Sequence, residues 1–420
     1  MIDLKLLRQN PLLMKENIKK RNLNIDLDDF LQIDKDLLDM QAKLENIKAT
    51  KNSFSKIISS LSKEEKEVKL KELKILGEEE VLIGEKIKSL QPKYFDVLYR
   101  LPNYLDETTA IGDDESGNLV IDTFLKPTEF SFTPKPHYEI GEAKGWIDTT
   151  KSSEISGARF WYLKGEVVFL QFAIIQYAMQ TLYKKGFSPI LPPVLVREEA
   201  MFGTGFLPAG EDGVYRVNPE EDNLYLVGTA EVPVTSYHAK EIIENLDNPI
   251  KYVGYSECFR KEAGSAGKDM RGILRGHQFQ KVEMVSFCKQ EDSSKLHNEM
   301  VAVEEEIWQG LKIPYQKLNI CSGDLGNPAM KKIDLEAWLP GQQKYREVTS
   351  CSNVGDYQSR RLGIRYRDNE GNLKYAHTLN GTVIALSRCL IAIIENYQDS
   401  NGDVIIPEVL IPFMGGVKKI

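Results

Sequence analysis

The chain has 420 residues, of which 42% are hydrophobic, and a formal net charge of −8. This length predicts a sizeable core and more than one domain. The sequence contains neither an apolar N-terminal run behind a basic start nor about 18 uninterrupted apolar residues, so we expect a cytoplasmic protein without a signal peptide or membrane span. The acidic balance argues against nucleic-acid binding by the whole surface, but it permits a local basic patch.

The cysteines and histidines are scattered along the chain and do not show metal-ligand spacing. The five cysteines include no C-x-x-C pair, which predicts reduced thiols rather than a disulfide framework. The five histidines form neither an H-x-x-H nor an H-E-x-x-H pattern. We therefore expect no structural zinc site.

The region 27–100 contains little Gly or Pro and carries apolar residues in alternating steps of three and four. This is the heptad pattern of a coiled coil. The residues of the first run are Phe30, Ile33, Leu37, Met40, Leu44, Ile47, Phe54, Ile58 and Leu61, and those of the second run are Leu73, Leu76, Ile83, Ile87, Leu90, Tyr94 and Val97. Lys51 is the one polar residue on the seam of the first run, and Glu80 and the nearby Gly77 are weak points of the second.

The two runs predict an antiparallel helical hairpin. Ser62 and Glu65 have the spacing of a capping box that opens its second helix. The first helix should cover about 35 residues, or roughly 50 Å at a rise of 1.5 Å per residue. A two-helix hairpin has too little core for a globular domain, so it should project as an arm.

Lysines outnumber glutamates near the tip of this hairpin. They are Lys43, Lys48, Lys51, Lys56, Lys63, Lys66, Lys69, Lys71 and Lys74, against Glu45, Glu64, Glu65, Glu67 and Glu72. A solvated coiled-coil face is the usual reason for such charge. A surface for a nucleic-acid backbone is the functional alternative, and the arm alone leaves both open.

The remainder of the chain predicts a second, larger domain. The segment 106–120 contains Gly112, Gly117 and an acidic cluster, which predicts a linker. Residues 121–420 mix short β-rich runs with amphipathic helices, which predicts an α+β fold. The predicted organisation is therefore an N-terminal domain at 1–105 with its hairpin at about 27–100, the linker, and a C-terminal domain at 121–420.

Within this domain, a long basic loop separates two predicted strands, 255–262 and 276–287. The period of two predicts one face with Arg260 and Glu262 on the first strand and one face with Phe279, Lys281 and Glu283 on the second. If the two faces coincide, the surface offers an arginine for phosphate, an aromatic ring for a nucleobase and a carboxylate for an ammonium group.

The loop itself, 263–275, carries three glycines with Lys268, Arg271 and Arg275. It could close over phosphates or over a nucleic-acid end. A hairpin with exposed charges is the plainer alternative, but unstructured loops longer than about 12 residues are uncommon and tend to be functional.

Two earlier stretches also combine apolar and polar residues in an unusual way. In GFSPILPPVLV, 186–196, Pro192 and Pro193 cannot pair within a central ladder, so the stretch belongs at an edge or an interface, although an ordinary core strand is the simpler alternative. In VGTAEVPVTSYH, 227–238, a strand would place Thr229 and Glu231 on one side. That pair suits a small zwitterion, but Thr-x-Glu is also common on surfaces.

Two later stretches suggest a site for metal and phosphate. In REVTSCSN, 346–353, Glu347 and Ser350 offer the oxygen ligands that Mg²⁺ prefers, although their spacing requires a bend and a polar strand end is equally plain. The stretch 377–398 predicts a strand, a turn at Asn380–Gly381, an N-cap at Thr382 and a helix. Arg388 in that apolar helix needs a partner, which a triphosphate or an internal carboxylate would provide.

In order along the chain, these stretches resemble the motifs of class II aminoacyl-tRNA synthetases. GFSPILPPVLV resembles motif 1, ECFRKEAG…RGHQFQKVEM resembles motif 2, and LNGTVIALSR resembles motif 3. TAE at 229–231, EVTSCSN at 347–353, HTLNGT at 377–382 and the N-terminal arm are together similar to the seryl-tRNA synthetase family of the bacterial and organellar type. The resemblance covers essentially the whole chain.

The resemblance implies an antiparallel sheet flanked by helices, and a homodimer whose interface motif 1 builds. It implies that L-serine and ATP with Mg²⁺ give seryl-adenylate, and that serine then passes to the 3′-terminal adenosine of tRNA(Ser), and of tRNA(Sec) where that tRNA exists. The coiled-coil arm, at about 40–77, would grip the long variable arm of the tRNA, and the motif 2 loop would contact the tRNA end. No side-chain nucleophile is implied.

The resemblance also implies three overlapping sets of site residues. The catalytic set is Arg260, Glu347 and Arg388. The serine-binding set is Thr229, Ala230, Glu231, Arg260, Glu283, Asn380 and Thr382. The ATP-binding set is Arg260, Lys261, Glu262, Phe279, Glu347, Val348, Thr349, Ser350 and Arg388, and Glu347 with Ser350 would also hold Mg²⁺.

Three alternatives compete with this interpretation. A threonyl synthetase typically reads its amino acid with a Cys/His zinc site, and this sequence shows no such cluster. A truncated ligase that loads amino acids onto carrier proteins lacks the long arm. A non-catalytic coiled-coil or nucleic-acid-binding protein would leave Arg260, Glu347 and Arg388 without a purpose.

Overall fold

The computed structural model describes residues 1–58, 61–262 and 271–420. Lys268 and the rest of the predicted loop at 263–270 lie outside the described residues. The chain forms two compact units. The smaller unit consists of Asp3–Ile18 and Leu23–Leu101, and the larger consists of Met1–Ile2, Lys19–Asn22 and Pro102–Ile420.

The smaller unit is built from helices, and two long ones form the predicted antiparallel hairpin. The helices are α1 (Leu4–Gln9), α2 (Pro11–Lys20), α3 (Leu27–Ile57) and α4 (Lys63–Arg100). The Phe30 and Tyr94 rings stack with centroids 5.1 Å apart, and Lys69 Nζ lies 4.4 Å from the centroid of the Phe54 ring. Helix α3 has 31 residues, so it is slightly shorter than the sequence predicts.

The two polar residues in the apolar seam of the hairpin, Lys51 and Glu80, form an ion pair with each other. Lys51 Nζ on α3 lies 2.6 Å from Glu80 Oε2 on α4, so the two exceptions to the apolar pattern meet across the helices. The capping box is confirmed, because the Ser62 hydroxyl accepts from Glu65 N while the Glu65 carboxylate accepts from Ser62 N. The ion pair thus joins α3 to α4, and the capping box marks the residue at which α4 begins.

The larger unit contains a sheet of eight strands among the residues that the structure describes, in the order β1-β11-β12-β13-β16-β10-β9-β4. These strands are β1 (Leu119–Phe124), β4 (Ser188–Ile190), β9 (Ile250–Phe259), β10 (Gln278–Cys288), β11 (Tyr315–Asn319), β12 (Lys331–Leu339), β13 (Lys344–Gly355) and β16 (His377–Ala385). Neighbours pair antiparallel, except that β4 runs parallel to β9. The predicted α+β class is confirmed.

Shorter strands form small sheets around this one. They are β2 (Ile147–Asp148), β3 (Tyr162–Leu163), β5 (Leu195–Arg197), β6 (Tyr215–Val217), β7 (Leu224–Leu226), β8 (Ile242–Ile243), β14 (Arg365–Arg367) and β15 (Leu373–Tyr375). The helices are α5 (His137–Ala143), α6 (Thr149–Ile155), α7 (Glu166–Lys184), α8 (Glu198–Thr204), α9 (Glu231–Thr235), α10 (Ser293–Gly310), α11 (Tyr357–Leu362) and α12 (Leu386–Asn396). None of the helices in the described chain is both long enough and apolar enough to cross a membrane.

The main core lies between the large sheet and the helices α7, α10 and α12. Helix α7 contributes a buried stripe at helical spacing, which includes Val167, Leu170 and Ile174. From the sheet, Val282 and Met284 of β10 enter this core, as the period of two predicts. The alternate residues of β10 are therefore directed to the opposite side, where the candidate site lies.

The predicted linker packs within the larger unit. Thr109 Oγ1 donates to Met330 O, and Gly112 N donates to Ser322 Oγ. Strand β1 then begins at Leu119 and pairs with β11 at the edge of the large sheet. The segment 106–120 is thus a structured connection.

Candidate active site

A cavity of about 560 Å³ opens on the side of the large sheet opposite α10. This volume is within the range of small-ligand sites, roughly 300–1,000 Å³. Most of the residues that the sequence singled out line it. They are Thr229, Glu231, Arg260, Glu262, Phe279, Glu283, Glu347, Val348, Ser350, Asn380, Thr382 and Arg388.

The first wall of the cavity is formed where β9 ends. The strand stops at Phe259, so the predicted continuation of the strand to residue 262 is wrong. Glu262 has a φ of 51°, a left-handed conformation that cannot continue a pleated strand. Its carboxylate accepts a hydrogen bond of 2.7 Å from Arg275 Nη1, which ties the two ends of the basic loop together.

Arg260 and Phe279 share a surface, as the sequence suggested. The Arg260 guanidinium carbon lies 5.4 Å from the centroid of the Phe279 ring. The Arg260 backbone exchanges hydrogen bonds with His277, through Arg260 N to His277 O and His277 Nδ1 to Arg260 O, both at 3.0 Å. An exposed guanidinium is thus placed beside an aromatic face, an arrangement suited to a phosphate next to a base.

A compact polar group occupies the middle of the cavity floor. Glu283 is almost fully buried, and its Oε2 accepts from Thr382 Oγ1 at 2.9 Å. Lys281 Nζ lies 2.8 Å from the same carboxylate oxygen and donates to the Thr382 hydroxyl at 3.1 Å. Lys281 appeared on the predicted face of the strand but was not among the expected site residues. Its alternation with Phe279 and Glu283 was the available signal.

A shift in strand register sets this group in place. Glu283 lies directly opposite Thr382, whereas Val282 lies opposite Ile384, so Val383 is an additional residue on β16. Such a bulge bends the strand and redirects neighbouring side chains. The bulge brings the Thr382 hydroxyl to the Glu283 carboxylate, and the carbonyl of Val383 accepts from Trp308 Nε1 on the core side.

The predicted strand through Thr229 and Glu231 is wrong, because the chain turns there into helix α9 at Glu231. The Thr229 hydroxyl accepts from Glu231 N at 3.2 Å, which favours a turn. Pro233 is in the first turn of the helix, where a missing N–H is tolerated. Both Thr229 and Glu231 nonetheless line the cavity.

Glu231 is held from behind by two amide groups. Its Oε1 accepts from Gln358 Nε2 at 2.7 Å and from Asn380 Nδ2 at 3.0 Å. Burial, with a further contribution from the negative charge of Glu283, raises the pKa of Glu231 to about 7. Gln358 lies on α11, far from the motifs, and no pattern in the sequence indicated it.

Glu347 and Ser350 both line the cavity despite their separation by three residues. Thr349 lies opposite Leu335 and Glu347 opposite Glu336, so Val348 is an extra residue on β13. This second bulge is the bend that the sequence required. It directs the Glu347 carboxylate and the Ser350 hydroxyl to one side of the sheet.

Arg388 has an internal carboxylate as its partner. Arg388 Nη1 donates to Glu347 Oε1 at 3.0 Å and to Glu347 O at 2.5 Å. Partial removal from water would raise the pKa of Glu347, but the positive charges of Arg388, Lys332 and Arg260 hold it below its usual value. Glu347 therefore stays ionised beside a concentration of positive charge.

Lys332 and Asp334 of β12 belong to the same region, although no motif in the sequence indicates them. Lys332 lines the cavity, and its Nζ lies 3.3 Å from Asp334 Oδ2. Asp334 is buried directly opposite Ser350. Burial raises the pKa of Asp334 to about 7 against the attraction of Lys332, and the nearby Glu347 adds to the rise. The K-x-D alternation on a strand was the only signal in the sequence.

The predicted turn at Asn380–Gly381 and the N-cap at Thr382 are wrong. Strand β16 runs unbroken from His377 to Ala385, and Ala385 precedes helix α12. Asn380 and Gly381 pair with strands on both sides, so the ladder outweighs their turn preference. Glycine is needed at 381 for close approach, because a Cβ there would lie 2.7 Å from Glu304 Oε1.

Three expected site residues lie outside the cavity lining. Ala230 is buried in a cluster with Val234, and Lys261 directs its ammonium toward the Tyr215 ring, 6.0 Å away. Thr349 is buried, and its hydroxyl accepts from Leu335 N at 3.1 Å. The side chains of these three residues thus make contacts around the cavity and do not line it.

The proline-rich stretch lies at an edge, as expected. Strand β4 is the last strand of the large sheet, and the chain leaves it before Pro192 and Pro193. It continues as β5, which pairs with β7 in a separate three-stranded sheet.

Comparisons with known proteins agree with this architecture. Residues 1–105 match the family model described as "Seryl-tRNA synthetase N-terminal domain". Residues 215–397 match the model described as "tRNA synthetase class II core domain (G, H, P, S and T)". The second match spans the strands and helices that line most of the cavity.

Full-length relatives are similar over nearly the whole chain. A serine–tRNA ligase of Dictyoglomus turgidum is 44% identical, over 99% of this chain and 98% of that protein. A seryl-tRNA synthetase structure from Pyrococcus horikoshii, complexed with ATP, superposes with a TM-score of 0.91 at 38% identity, over 100% of this chain and 99% of that one. A cytoplasmic serine–tRNA ligase structure from Naegleria fowleri, in complex with AMP, gives 0.85 at 36% identity, over 98% and 95%.

Proposed function

The chain belongs to the seryl-tRNA synthetase family, and we propose that it makes seryl-adenylate from L-serine and ATP and then transfers serine to the 3′-terminal adenosine of tRNA(Ser). Where a selenocysteine tRNA exists, tRNA(Sec) would be charged with serine in the same way. One observation carries the proposal: a single cavity holds buried carboxylates and hydroxyls suited to a small zwitterion beside arginines and a ring suited to a nucleotide.

The serine end of the cavity is defined by Glu231, Glu283 and Thr382. Glu283 would accept the substrate ammonium, and the adjacent Thr382 and Thr229 hydroxyls offer partners for a hydroxymethyl group. Asn380 orients Glu231 through its amide. Such a set favours serine over alanine, because an analogue without the hydroxyl would leave buried polar groups unpaired.

The nucleotide end is defined by Arg260, Phe279 and Arg388. Arg260 would contact the α-phosphate, Phe279 would stack on adenine, and Arg388 would hold the γ-phosphate of a bent ATP. The positions of Arg260 and Phe279, 5.4 Å apart, support the first two roles because a base on the ring leaves its phosphates near the guanidinium. Glu262, fixed by Arg275, would lie close to the nucleotide.

The residues present fit a divalent cation. Glu347 and Ser350 place a carboxylate and a hydroxyl on one side of β13, and Mg²⁺ prefers oxygen ligands together with substrate phosphates. We propose that these two residues hold it. When bound, the ion would add neutralisation of phosphate charge to that provided by the arginines.

The chain's own contribution to the first step is positioning and charge. The serine carboxylate oxygen would attack the α-phosphorus in line and form a bond to it. The bond between the α-phosphorus and the oxygen that bridges to the β-phosphate would break, and pyrophosphate would leave. Arg260 stabilises the charge that develops on the α-phosphate oxygens, and Arg388 holds the leaving group. Glu231 and Glu283 orient serine from the other end, so that no side chain needs to act as a nucleophile.

The proposed partners extend to the rest of the chain. We assign tRNA binding to the domain at 1–105, through the arm at about 40–77 with its lysines, and to the motif 2 loop; the catalytic domain would then follow the connection at 106–120. The exposed Phe169 and Phe172 on α7, before the motif 1 stretch, and the exposed Leu191 within that stretch support a homodimer interface there. We place the protein in the cytoplasm.

The decisive experiment is amino-acid-dependent ATP–pyrophosphate exchange, measured for all twenty amino acids without tRNA. We expect exchange with serine and essentially none with threonine or alanine. Exchange with a different amino acid would overturn the substrate. Absence of exchange with every amino acid would favour a non-catalytic member of the family.

A further inference from the structure

One wall of the cavity is formed by a short loop between β11 and β12. Gly326, Asn327, Pro328 and Ala329 line the cavity there, and Met330 follows them. We refer to 326–330 as the wall loop. It contains no side chain able to bind serine or ATP by charge, so its contribution to a site would be its position.

The wall loop abuts the serine end of the cavity. Gly205 has a φ of 91°, and a Cβ at Gly205 would lie 2.7 Å from Pro328 Cγ, so the Pro328 ring packs closely against the Gly205 backbone. The preceding residue, Thr204, offers its carbonyl to Gln358 Nε2 at 3.1 Å. The same Gln358 amide donates to Glu231 at 2.7 Å. Displacement of the wall loop would therefore shift the position of Glu231, because the Gln358 amide bonds both to Thr204 and to Glu231.

Arg21 holds the wall loop from one side. Its Nη1 donates to Gly326 O at 3.3 Å and its Nη2 to Ala329 O at 2.5 Å. Only 3% of Arg21 is exposed, and within the part of the chain that the structure describes its guanidinium donates to these carbonyl oxygens rather than to a carboxylate. Burial lowers the pKa of Arg21 to about 10, so the side chain stays charged at neutral pH. Burying a charged arginine is costly, and here it serves two carbonyls of one loop.

Asn103 holds the same loop from a second side. Its backbone N–H donates to Asn327 O at 2.8 Å, and its side-chain amide donates to Pro328 O at 3.0 Å. The same amide reaches Val354 O at 2.7 Å, at the end of strand β13. Asp106 N and Thr109 Oγ1 both donate to Met330 O, at 3.0 and 2.8 Å.

These two anchors have a common place in the chain. Arg21 lies in the short segment Lys19–Asn22, where the chain enters the larger unit from α2 and leaves it again toward α3. Asn103 lies just after Pro102, where the chain returns from α4. Both anchors thus belong to the larger unit and lie beside points where the chain crosses to or from the smaller unit.

We propose that Arg21 and Asn103 are positioning residues for amino-acid binding, which hold the wall loop against the serine end of the cavity. The proposal rests on the proposed function for the identity of the amino acid. It makes serine affinity sensitive to residues that contact neither substrate, at the points where the chain connects to the arm. The nucleotide end, which the wall loop does not anchor, should be affected much less.

The test compares Arg21→Met, Arg21→Lys and Asn103→Leu with wild type in pyrophosphate exchange. For Arg21→Met we expect the KM for serine to rise about tenfold while the KM for ATP stays within about twofold. Arg21→Lys retains the charge but not the two-pronged geometry, so it should recover part of the loss. Arg8→Met is the matched control, since Arg8 also makes two hydrogen bonds, to Asp34 in the smaller unit, and it should leave both values unchanged.

Hydrogen–deuterium exchange of the wall loop provides a readout that needs no substrate. The amides of Ala329 and Met330 donate to Gly326 O and Asn353 O, so they should exchange faster in Arg21→Met and not in Arg8→Met. An equal rise in both KM values, or an unchanged serine KM in folded variants, overturns the proposal. If wild type exchanges with another amino acid, the proposed function fails, and the anchoring is judged by the KM for that amino acid and by the amide exchange.

Discussion

Two ion pairs of similar length lie in the two units of this molecule and differ in almost everything else. Lys51 and Glu80 are 2.6 Å apart between the helices of the hairpin, and Arg388 and Glu347 are 3.0 Å apart at the candidate site. The hydrogen bond from Lys51 is the main cause that lowers the pKa of Glu80. Distance alone therefore does not separate a structural pair from one with a chemical role.

The surroundings of the pairs do separate them. Glu347 experiences Lys332 and Arg260 in addition to Arg388, and it lies near Asp334, whose pKa burial raises to about 7. Several like and unlike charges in one cavity are an arrangement that binds polyanions, because the site can exchange internal partners for phosphate oxygens. The pair in the hairpin has its place in an apolar seam, where a polar contact fixes register.

The largest effect should follow from breaking the pair at the site. Arg388→Ala removes the group assigned to the γ-phosphate and leaves Glu347 without its main partner. We expect serine-dependent pyrophosphate exchange to fall by at least about 10³-fold. The measurement is exchange at saturating serine, with filter binding of tRNA(Ser) showing nearly unchanged affinity.

Arg360→Ala is the control for this variant, because Arg360 also pairs with a carboxylate, Asp356, at 2.8 Å, but on α11 and outside the cavity lining. Its exchange rate should stay close to that of wild type. Normal exchange in Arg388→Ala would refute the role assigned to Arg388.

The next effect in size separates the two units by function. Replacing residues 40–77 with a short turn removes the lysine-rich tip and keeps the base of the hairpin, including the stacked Phe30 and Tyr94. We expect tRNA charging to fall by about 100-fold or more while pyrophosphate exchange is retained, because phosphate contacts dominate nucleic-acid affinity. Full charging of tRNA(Ser) by this variant would contradict the proposed role of the arm.

The sequence predicts these two units with very different success, for a physical reason. The hairpin follows one period in the sequence, and its capping box and seam are confirmed because they depend on neighbours three or four residues away. Apart from the exact length of α3, the period does not predict the pairing of Lys51 with Glu80. Each appears as a defect in its own helix, and their pairing is visible only once the two helices are aligned.

In the large sheet, the sequence indicates which side chains form the site, but it does not predict the register shifts of the strands that carry them. Glu283 meets Thr382, and Glu347 shares a side with Ser350, because of extra residues at Val383 and Val348. A bulge depends on the pairing of distant strands, so no local pattern predicts it. The same holds for Asn380–Gly381, whose turn preference is overridden by two neighbouring strands, and for Gln358, which reaches Glu231 from another helix.

A smaller effect should appear in the pH dependence of serine binding. Glu231 has a pKa raised to about 7 by burial and by Glu283, so it gains its full charge only above neutral pH. The ionised form attracts the serine ammonium, and the KM for serine should therefore fall as the pH rises from 6 to 8. Glu231→Gln should flatten this dependence and raise the KM at pH 8 by about tenfold. An identical pH profile in the variant would exclude Glu231 as the titrating group.

The same shift has a consequence for stability with the opposite sign. Because the folded-state pKa of Glu231 lies above its ordinary value of 4.5, the folded protein binds the extra proton between those values. Its contribution to stability is therefore fully present below about pH 4.5 and is lost as the pH rises to about 7. The melting temperature of Glu231→Gln should therefore rise relative to that of wild type as the pH increases from about 4.5 to about 7. Glu80 in the hairpin has a lowered pKa and predicts no such rise.

The smallest effect belongs to the pair in the hairpin and tests whether it sets register. Lys51→Glu places two carboxylates where an ion pair of 2.6 Å stood, and we expect the melting midpoint to fall by only about 2–4 °C. Adding Glu80→Lys reverses the pair and should restore the midpoint, because the geometry between the helices is symmetric in charge. Circular dichroism at 222 nm measures this, and pyrophosphate exchange should be unchanged in both variants. If the double variant melts no higher than the single one, the two side chains do not act on each other, and the seam alone determines how the helices align.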